Sequence, residues 1–364
     1  LGLIGLIASF VANPTDARSA AAQNWSPFVL VTGLILIGLV ANDDGLFAAA
    51  GHQLARLSSS GVVLFAGATV MIAVVTAVLN LDTSVAFLTP VLVYTAKSRG
   101  EGEAPLLYGC LLLSNAGSLF LPGSNLTNLI VLGHVRLSGA SFLARMWAPA
   151  LVALMVTAGV VAVLERRSLR VSKNDLTHVD RPTLGLGLLA VVASAVLVLA
   201  LHSPALPVAV VGVVAIGIRL AARKDQPRHV VQVLGAPLLV LLFGVAVAMG
   251  TVGRVWDGPS TLLAHLDVWR TAAVAAVTSL IVNNLPAASL LAARTPERPF
   301  ALLIGLNLGP NLFVTGSLAW MLWLRSARSA GAQPSVARAS RIGVIAAPLS
   351  MVAAIAVLVG TGVK

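Results

Sequence analysis

The sequence predicts an all-α, polytopic membrane protein whose two halves share one order of elements. Hydrophobic residues make up 58% of the chain and charged residues 10%, and the mean hydropathy is +0.94. In each half a short polar tip, 80–83 (NLDT) and later 283–286 (NNLP), interrupts a long apolar run. A break rich in Gly, Ser, Asn and Pro interrupts the next run, at 115–128 and at 307–317. Paired interrupted helices in two halves are typical of transporters.

The composition excludes several other classes of protein. Most of the chain has no polar face to offer water, so a soluble protein is excluded. The one cysteine, Cys110, rules out a disulfide framework or a thiolate metal cluster within one chain, and packing is its expected role. The formal net charge is +11, but the 24 Lys and Arg residues are scattered through short loops. Nucleic acid is therefore not expected as a partner.

The apolar runs predict the order of the spanning helices. Residues 1–12 lack a basic n-region, so they are interpreted as the remainder of a first spanning helix rather than a secretory signal. About 20 residues cross a hydrocarbon core of roughly 30 Å, so most later runs are single helices. These runs lie near 28–50, 61–96, 105–133, 148–164, 182–201, 207–222, 231–252, 271–293, 300–324 and 342–363.

Two of these runs are predicted to be re-entrant hairpins. The run 61–96 is too long for one span and too short for two spans with a loop, so a hairpin turning at 80–83 fits best. The run 271–293 could by length be an ordinary helix. If each run enters and leaves the membrane on the same face, 16 of the 24 Lys and Arg residues fall on one side of the membrane and 8 on the other. This distribution obeys the positive-inside rule. Treating 271–293 as one crossing would instead export the four arginines of 325–341.

The halves match as an inverted-topology repeat in an inner (plasma) membrane protein. The first hairpin is predicted to open to the cytoplasm and the second to the outside. In register, Asp82 falls on Asn284 and Asn115 on Asn307. The predicted domains are an N-terminal repeat (1–164, with hairpin 61–96 and broken helix 105–133), a cytoplasmic linker (165–181) and a C-terminal repeat (182–364, with hairpin 271–293 and broken helix 300–324).

The tips and breaks supply the candidate substrate ligands. Polar backbone at mid-membrane is costly unless it lines a cavity or binds something, and half-helix ends offer free N–H and C=O groups there. The alternative is that these amides hold helices together, as Asn and Ser often do in membranes. Clustering at helix breaks in both halves favours binding by Asn80, Thr83, Asn115, Ser124, Asn125, Asn128, Asn283, Asn284, Asn307, Asn311, Thr315 and Ser317.

Three acids lie within the apolar spans and are the candidates for ion coupling. A carboxylate there needs a cation, a proton or a helix N-terminus to compensate its charge. Asp82 is therefore the expected proton carrier or cation ligand, and the alternative role is an N-cap for a half-helix beginning at Ser84. Asp43 and Asp44 come late in the second helix, where a structural cap before Gly45 and a part in coupling are equally open.

No motif for nucleotide, hydrolase or zinc chemistry occurs. The sequence contains no GxxxxGK[ST], GxSxG or HExxH pattern. The chain is therefore not expected to be an enzyme, and neither catalytic residues, a cofactor nor a metal site is predicted. A carrier of this kind must use an ion gradient or borrow a soluble ATPase.

The interrupted segments resemble the ion transporter superfamily. Three segments together are most similar to the ArsB-type arsenite and antimonite efflux permeases. They are DDGLFAAAGHQLAR (43–56), SNLTN (124–128) and LGPNLFVTGSLAWMLWLR (308–325). Asn115 and Asn307 stand where such permeases often carry an acid. The resemblance covers nearly the whole chain and includes NLDTSVAFLTPVLV (80–93), SNAGSLFLPGSNLTNLIVLG (114–133), NNLPAAS (283–289) and LNLGPNLFVTGSLAWMLWLR (306–325).

The resemblance implies a scaffold domain and an elevator-type transport domain, with the site at the tip and break residues named above. It implies efflux of arsenite or antimonite coupled to proton entry. Related members of the superfamily suggest two alternatives. One is a sodium-coupled carrier of small dicarboxylates or inorganic anions, and the other is a sodium/proton antiporter. The expected partners are the small inorganic substrate, a proton or sodium and the lipid bilayer. A soluble ATPase and a homodimer stay open.

Overall fold

The computed structural model describes residues 2–135, 137–169 and 185–362, and every regular element in these ranges is a helix or a short 3₁₀ turn. The predicted all-α class is confirmed. Residues 170–181 of the predicted linker lie outside the described residues. In chain order the helices are α1 Gly2–Ala12, α2 Pro14–Asp43, α3 Leu46–Leu57, α4 Gly61–Val78, α5 Leu81–Ser98, α6 Ala104–Gly117, α7 Leu126–Val131, α8 Gly139–Leu164, α9 Leu186–Ala200, α10 Ala205–Ala221, α11 Pro227–Leu234, α12 Ala236–Val255, α13 Gly258–Ala264, α14 Val268–Val282, α15 Asn284–Leu291, α16 Pro299–Leu308, α17 Ala319–Ser329 and α18 Val336–Gly360.

Long apolar helices make this a multi-pass membrane protein. Among the described residues, α2, α4, α8, α18 and the continuous stretch of α11 and α12 are long and apolar enough to cross a membrane. Shorter apolar helices, including α6, α9, α10 and α14, lie beside them. Many of their large side chains are exposed, as expected of surfaces that face lipid.

The second spanning helix differs from the predicted run 28–50. It begins at Pro14, because Asn13 caps it by accepting a hydrogen bond from the Asp16 backbone N–H, and it ends at Asp43. Gly45 then adopts a left-handed φ of 80°, which turns the chain. The residues that follow form α3, an amphipathic helix, where the sequence indicated the end of a span and a polar surface stretch.

Each half contains a helical hairpin followed by an interrupted helix. Helices α4 and α5 meet at Leu79–Asn80, and α14 and α15 meet at Asn283, so the chain reverses at both tips. The second hairpin begins at Val268, three residues before its predicted start. After α6 the helix stops and resumes as α7, and after α16 it stops and resumes as α17. The inverted relation of the halves and the domain limits remain predictions.

The helices form two packed groups. Helices α1, α2, α9, α10 and α12 pack on one another, and α4 to α8 pack with α14 to α18. We call these the first and second groups. Glycine permits close approach in the first group, since a Cβ at Gly33 of α2 would lie 2.7 Å from the Ala209 Cα of α10. The groups meet where α2 contacts α5 and α7, where α12 contacts α15, and where α9 contacts α4 and α8.

A buried ion-pair cluster closes the end of the first group that is predicted to be cytoplasmic. Arg219 of α10 pairs with both Asp44, at the end of α2, and Asp225. Asp44 also accepts a 2.7 Å hydrogen bond from the Gly187 backbone N–H at the start of α9. The hydrogen bond from Arg219 lowers the pKa of the Asp225 carboxyl. One arginine therefore ties together three helix ends.

Replacing Arg219 with Met should destabilise the protein by roughly 3 kcal/mol, because Asp44 and Asp225 would stay buried without their partner. Because the pKa of Asp225 is lowered in the folded state, this stabilisation is fully present above about pH 4. It is lost as the pH falls through the folded-state pKa of Asp225. Thermal unfolding in detergent at pH 7 measures the change. Arg228→Met, on the exposed face of α11, is the control, and equal midpoints for the two variants would contradict the assignment.

Candidate functional site

The first tip is a buried, capped helix start. Asn80 accepts a 2.7 Å hydrogen bond from the Thr83 backbone N–H through its side-chain oxygen, so α5 begins at Leu81. Asn80 and Thr83 are each 2% exposed. Asn80, not Asp82, is thus the N-cap, and the cap role considered for Asp82 at Ser84 does not occur. Asp82 lies in the first turn, where a helix N-terminus favours an anion.

The second tip is more open and has different chemistry. Asn283 adopts a φ of 75° and a ψ of 152°, a backbone conformation that is strained for any residue with a side chain. Its side-chain N–H₂ donates a 3.1 Å hydrogen bond to the Thr315 carbonyl, which ties the tip to the break in its own half. Asn284, the register partner of Asp82, is 5% exposed, whereas Thr315 is exposed. The structure therefore places a carboxylate at one tip and an amide at the other.

A network of uncharged amides joins the two interrupted helices. Asn115 donates to Asn311 Oδ1 at 2.8 Å. Asn307 Oδ1 accepts from Asn125 at 2.7 Å and from the Ser118 hydroxyl at 2.6 Å, while its N–H₂ donates to Asn128 Oδ1 at 2.7 Å. We call these six residues the amide cluster, and every member is fully or almost fully buried. Predicted residues that are far apart in sequence thus meet between the halves.

Two predicted serines act mainly on the local backbone. The Ser124 hydroxyl donates to the carbonyls of Ser118 and Leu121 inside the first break. Ser317 accepts a 3.2 Å hydrogen bond from the Ala319 backbone N–H at the start of α17. Both side chains are buried and hold the breaks in shape, so the direct bonds across the halves come from the amides and from Ser118.

Four buried polar atoms beside the amide cluster and the first tip have no partner among the described residues. They are Thr76 Oγ1, Asn80 Nδ2, Thr83 Oγ1 and Asn115 Oδ1. A buried group without a hydrogen bond costs about 1–3 kcal/mol, so these atoms are suited to a polar solute or an ion. Neither Thr76 nor Ser118 was among the predicted ligands, although Ser118 lies within the predicted break at 115–128.

Asp43 and Asp44 lie in another environment from Asp82. Asp44 belongs to the Arg219 ion-pair cluster, and Asp43 Oδ2 lies 3.5 Å from His229 Nε2. The first tip instead packs on α2 one and a half turns earlier, where a Cβ at Gly38 would lie 2.4 Å from the Thr83 methyl group. The structure therefore does not bring the three candidate coupling acids together.

The half-helices that leave the centre are tied at their far ends. Gln23 of α2 donates to the carbonyls of Ile130, in α7, at 3.0 Å and of Ala292, after α15, at 2.9 Å. Arg254 of α12 donates to the Gln23 side-chain oxygen at 2.6 Å. At the opposite end, Lys97 of α5 donates to two carbonyls after α17, at 3.1 and 2.9 Å. These contacts satisfy helix C-terminal carbonyls, and the sequence carried no signal for them.

The apolar multi-pass fold, with hairpin tips and interrupted helices around a buried polar cluster, defines a membrane transporter. The family model described as citrate transporter (CitMHS) matches residues 1–324, so the chain belongs to this family. The prediction of a member of the ion transporter superfamily in a cell membrane is thereby confirmed.

The similar proteins agree with this assignment. The arsenical pump membrane protein of Escherichia coli is 24% identical over 358 residues, which cover 89% of this chain and 83% of that protein. Its namesake in Yersinia enterocolitica is 23% identical over 334 residues, covering 82% and 78%. The crystal structure of the Alcanivorax borkumensis YdaH transporter aligns with a TM-score of 0.58 at 16% identity, covering 98% of this chain and 88% of that one. At that identity the structural likeness shows the fold alone.

Replacing Asn307 with Ala should lower the free energy of unfolding by roughly 3 kcal/mol or more, because Ser118, Asn125 and Asn128 would lose buried partners. Heating in detergent followed by size-exclusion chromatography measures the folded fraction. Ser350→Ala is the matched control, since its hydroxyl is equally buried but donates only to the nearby Ala347 carbonyl. A midpoint for Asn307→Ala as high as that of the control would contradict the role of the cluster.

Proposed function

We propose that this transporter exports arsenite or antimonite in exchange for protons. The observation that carries the proposal is a buried cluster of uncharged amides beside a tip that holds one carboxylate, Asp82. The names of the relatives from Escherichia coli and Yersinia enterocolitica support the same substrate. Under this proposal the cluster and the two tips bind the solute, and Asp82 couples its movement to the proton gradient.

The chemistry of the cluster matches that of the solute. Trivalent arsenite near neutral pH is a small, uncharged trihydroxide, so its hydroxyl groups both donate and accept hydrogen bonds. Amide and hydroxyl side chains offer both functions without burying an unpaired charge. The free Nδ2 of Asn80, Oγ1 of Thr83 and Oδ1 of Asn115 supply donors and acceptors beside the first tip. These groups would bind the solute during transport.

Asp82 has the properties of a coupling group. Asp82 lies in the first turn of α5, and among the described residues its carboxylate has no hydrogen-bond partner and no charged neighbour. A carboxylate within a membrane-spanning region is neutralised by a proton or accompanied by a cation, and each exchange changes the charge that must cross the membrane. Proton binding at Asp82 on the outside and its release on the inside would therefore drive solute outward.

The two packed groups provide the moving parts. We infer that the first group is the scaffold and that the second group, which contains the tips and the amide cluster, is the transport domain of an elevator. The interface supports this division, because the groups meet mainly where α2 and α12 contact hairpin and break elements, with smaller contacts from α9 to α4 and α8. Movement would break the bonds from Gln23 to Ile130 and Ala292, which cross that interface. A homodimer and a docked ATPase remain predictions.

Asp82→Asn should reduce proton-driven arsenite uptake into everted membrane vesicles at least tenfold, because the amide cannot carry a proton across. Exchange of labelled for unlabelled arsenite without a gradient should persist, since it needs the site but no net proton movement. Glu297→Gln, an exposed acid in the loop before α16, is the control. Undiminished proton-driven uptake by Asp82→Asn would remove Asp82 from the coupling mechanism.

A second candidate function is sodium-coupled transport of a small carboxylate. The family model that matches the chain is described as citrate transporter. Helices α5 and α15 both begin at the tips, so their N-termini lie there, and helix N-termini bind carboxylates. Sodium would then occupy carbonyl and amide oxygens at the breaks.

Ion replacement distinguishes the two functions in purified protein reconstituted into liposomes. Arsenite transport by the first mechanism should continue when sodium is replaced by choline and should acidify or alkalinise the lumen according to its direction. Citrate transport by the second should fall to background in choline. Sodium-dependent citrate uptake together with no arsenite flux would replace the first proposal by the second.

A further inference from the structure

A cavity of roughly 280 Å³ lies between the two packed groups, at the end predicted to face outward. One wall is the first part of α2, from Ala22 to Leu30, and the loop after α9, which contains His202 and Ser203. The opposite wall is the first break at Pro122–Gly123 and the end of α7. Because its walls belong to different groups, the cavity must change shape if the groups move past each other.

The first break links one wall of the cavity to the amide cluster along the chain. Gly123 lines the cavity, and the next residues, Ser124 and Asn125, are the hydroxyl that shapes the break and an amide of the cluster. A Cβ at Gly123 would lie 3.6–3.8 Å from side chains of Leu30, Leu34 and Val198, so side chains of the first group pack against the break at ordinary van der Waals distance. One residue in the sequence therefore separates this wall of the cavity from the cluster.

The polar groups of the cavity suit a small hydroxyl-bearing solute. The hydroxyls of Ser26 and Ser203 form no hydrogen bond with any described residue and border the cavity. Gln23 borders it too, and its amide already bonds to Ile130 and Ala292. At about 30 Å³ per water molecule, the volume holds a solute of a few heavy atoms with part of its hydration shell.

We propose that this cavity is the outer vestibule of the transport path, a second binding site that a small uncharged hydroxyl compound occupies between the amide cluster and the outside. The solute assigned here rests on the proposed function. Ser26 and Ser203 would receive hydroxyl groups as the solute leaves Asn125. Gln23 lies on one side of the vestibule, and its hydrogen bonds to Ile130 and Ala292 would hold α7 and the end of α15 in place while the vestibule is open.

Labelling of an introduced cysteine tests the location. Ala22→Cys places a thiol on the wall, and the natural Cys110 is 0% exposed and should not react. Right-side-out vesicles are treated with a membrane-impermeant, bulky methanethiosulfonate reagent, and arsenite flux is measured on the same sample before and after labelling. Thr261→Cys, exposed on α13 at the same predicted side and away from the cavity, is the control. Reagents and free arsenite are removed between the steps.

The vestibule predicts that both cysteines react from outside and that only the Ala22→Cys label lowers the flux, by at least fivefold. Ser26→Phe, which fills the cavity without a thiol, should lower it as well. Labelled Ala22→Cys protein that transports at its unlabelled rate would overturn the proposal, as would failure of the reagent to reach Cys at position 22. If unmodified protein carries no arsenite but does carry citrate, the proposed function fails, and the same labelling comparison with citrate flux still decides whether the cavity lies on the path.

Discussion

The need to satisfy polar side chains in the absence of water governs the centre of this protein. Asn307 meets that need by bonding to Ser118, Asn125 and Asn128, all of which come from the other half of the chain. A broken helix exposes backbone groups, and in a membrane those groups and the amides beside them must find partners within the protein. Each break therefore depends on the other half, so neither half can complete its polar centre alone.

Backbone carbonyls at the ends of the half-helices also need partners, and the two ends obtain them in different ways. Lys97 joins the C-terminal carbonyls after α17 to α5, and both helices belong to the second group, so this tie can move as a unit. Gln23 joins α7 and the end of α15 to α2, and Arg254 of α12 holds Gln23 from behind. That tie spans the two groups. If the second group moves as proposed, the Lys97 contacts can survive the movement, whereas the Gln23 contacts must be exchanged for others.

Local chemistry explains which features could be predicted from the sequence. The tips and breaks were predictable because Asn, Gly and Pro interrupt apolar runs for backbone reasons that a few adjacent residues determine. The composition likewise indicated the all-α membrane class. The true start of α2 at Pro14 depended on a cap by Asn13 within a polar stretch, and Ser118, Thr76 and Gln23 acquire their roles from partners more than a hundred residues away or from burial. Apolar periodicity contains no such information.

The acids of the described chain show why Asp82 is distinct. Glu101 pairs with Arg99, Glu165 with Arg338, and both Asp44 and Asp225 with Arg219. A buried carboxylate beside a guanidinium stays charged, so it can stabilise a helix end but cannot exchange its charge with a gradient. The carboxylate of Asp82 has the N-terminal dipole of α5 as its compensation, and the side-chain oxygen of Asn80 caps that helix. A helix dipole supports a charge only in part, which leaves the carboxylate free to take a proton or a cation, whereas Asn284 at the opposite tip has no group that can exchange a proton.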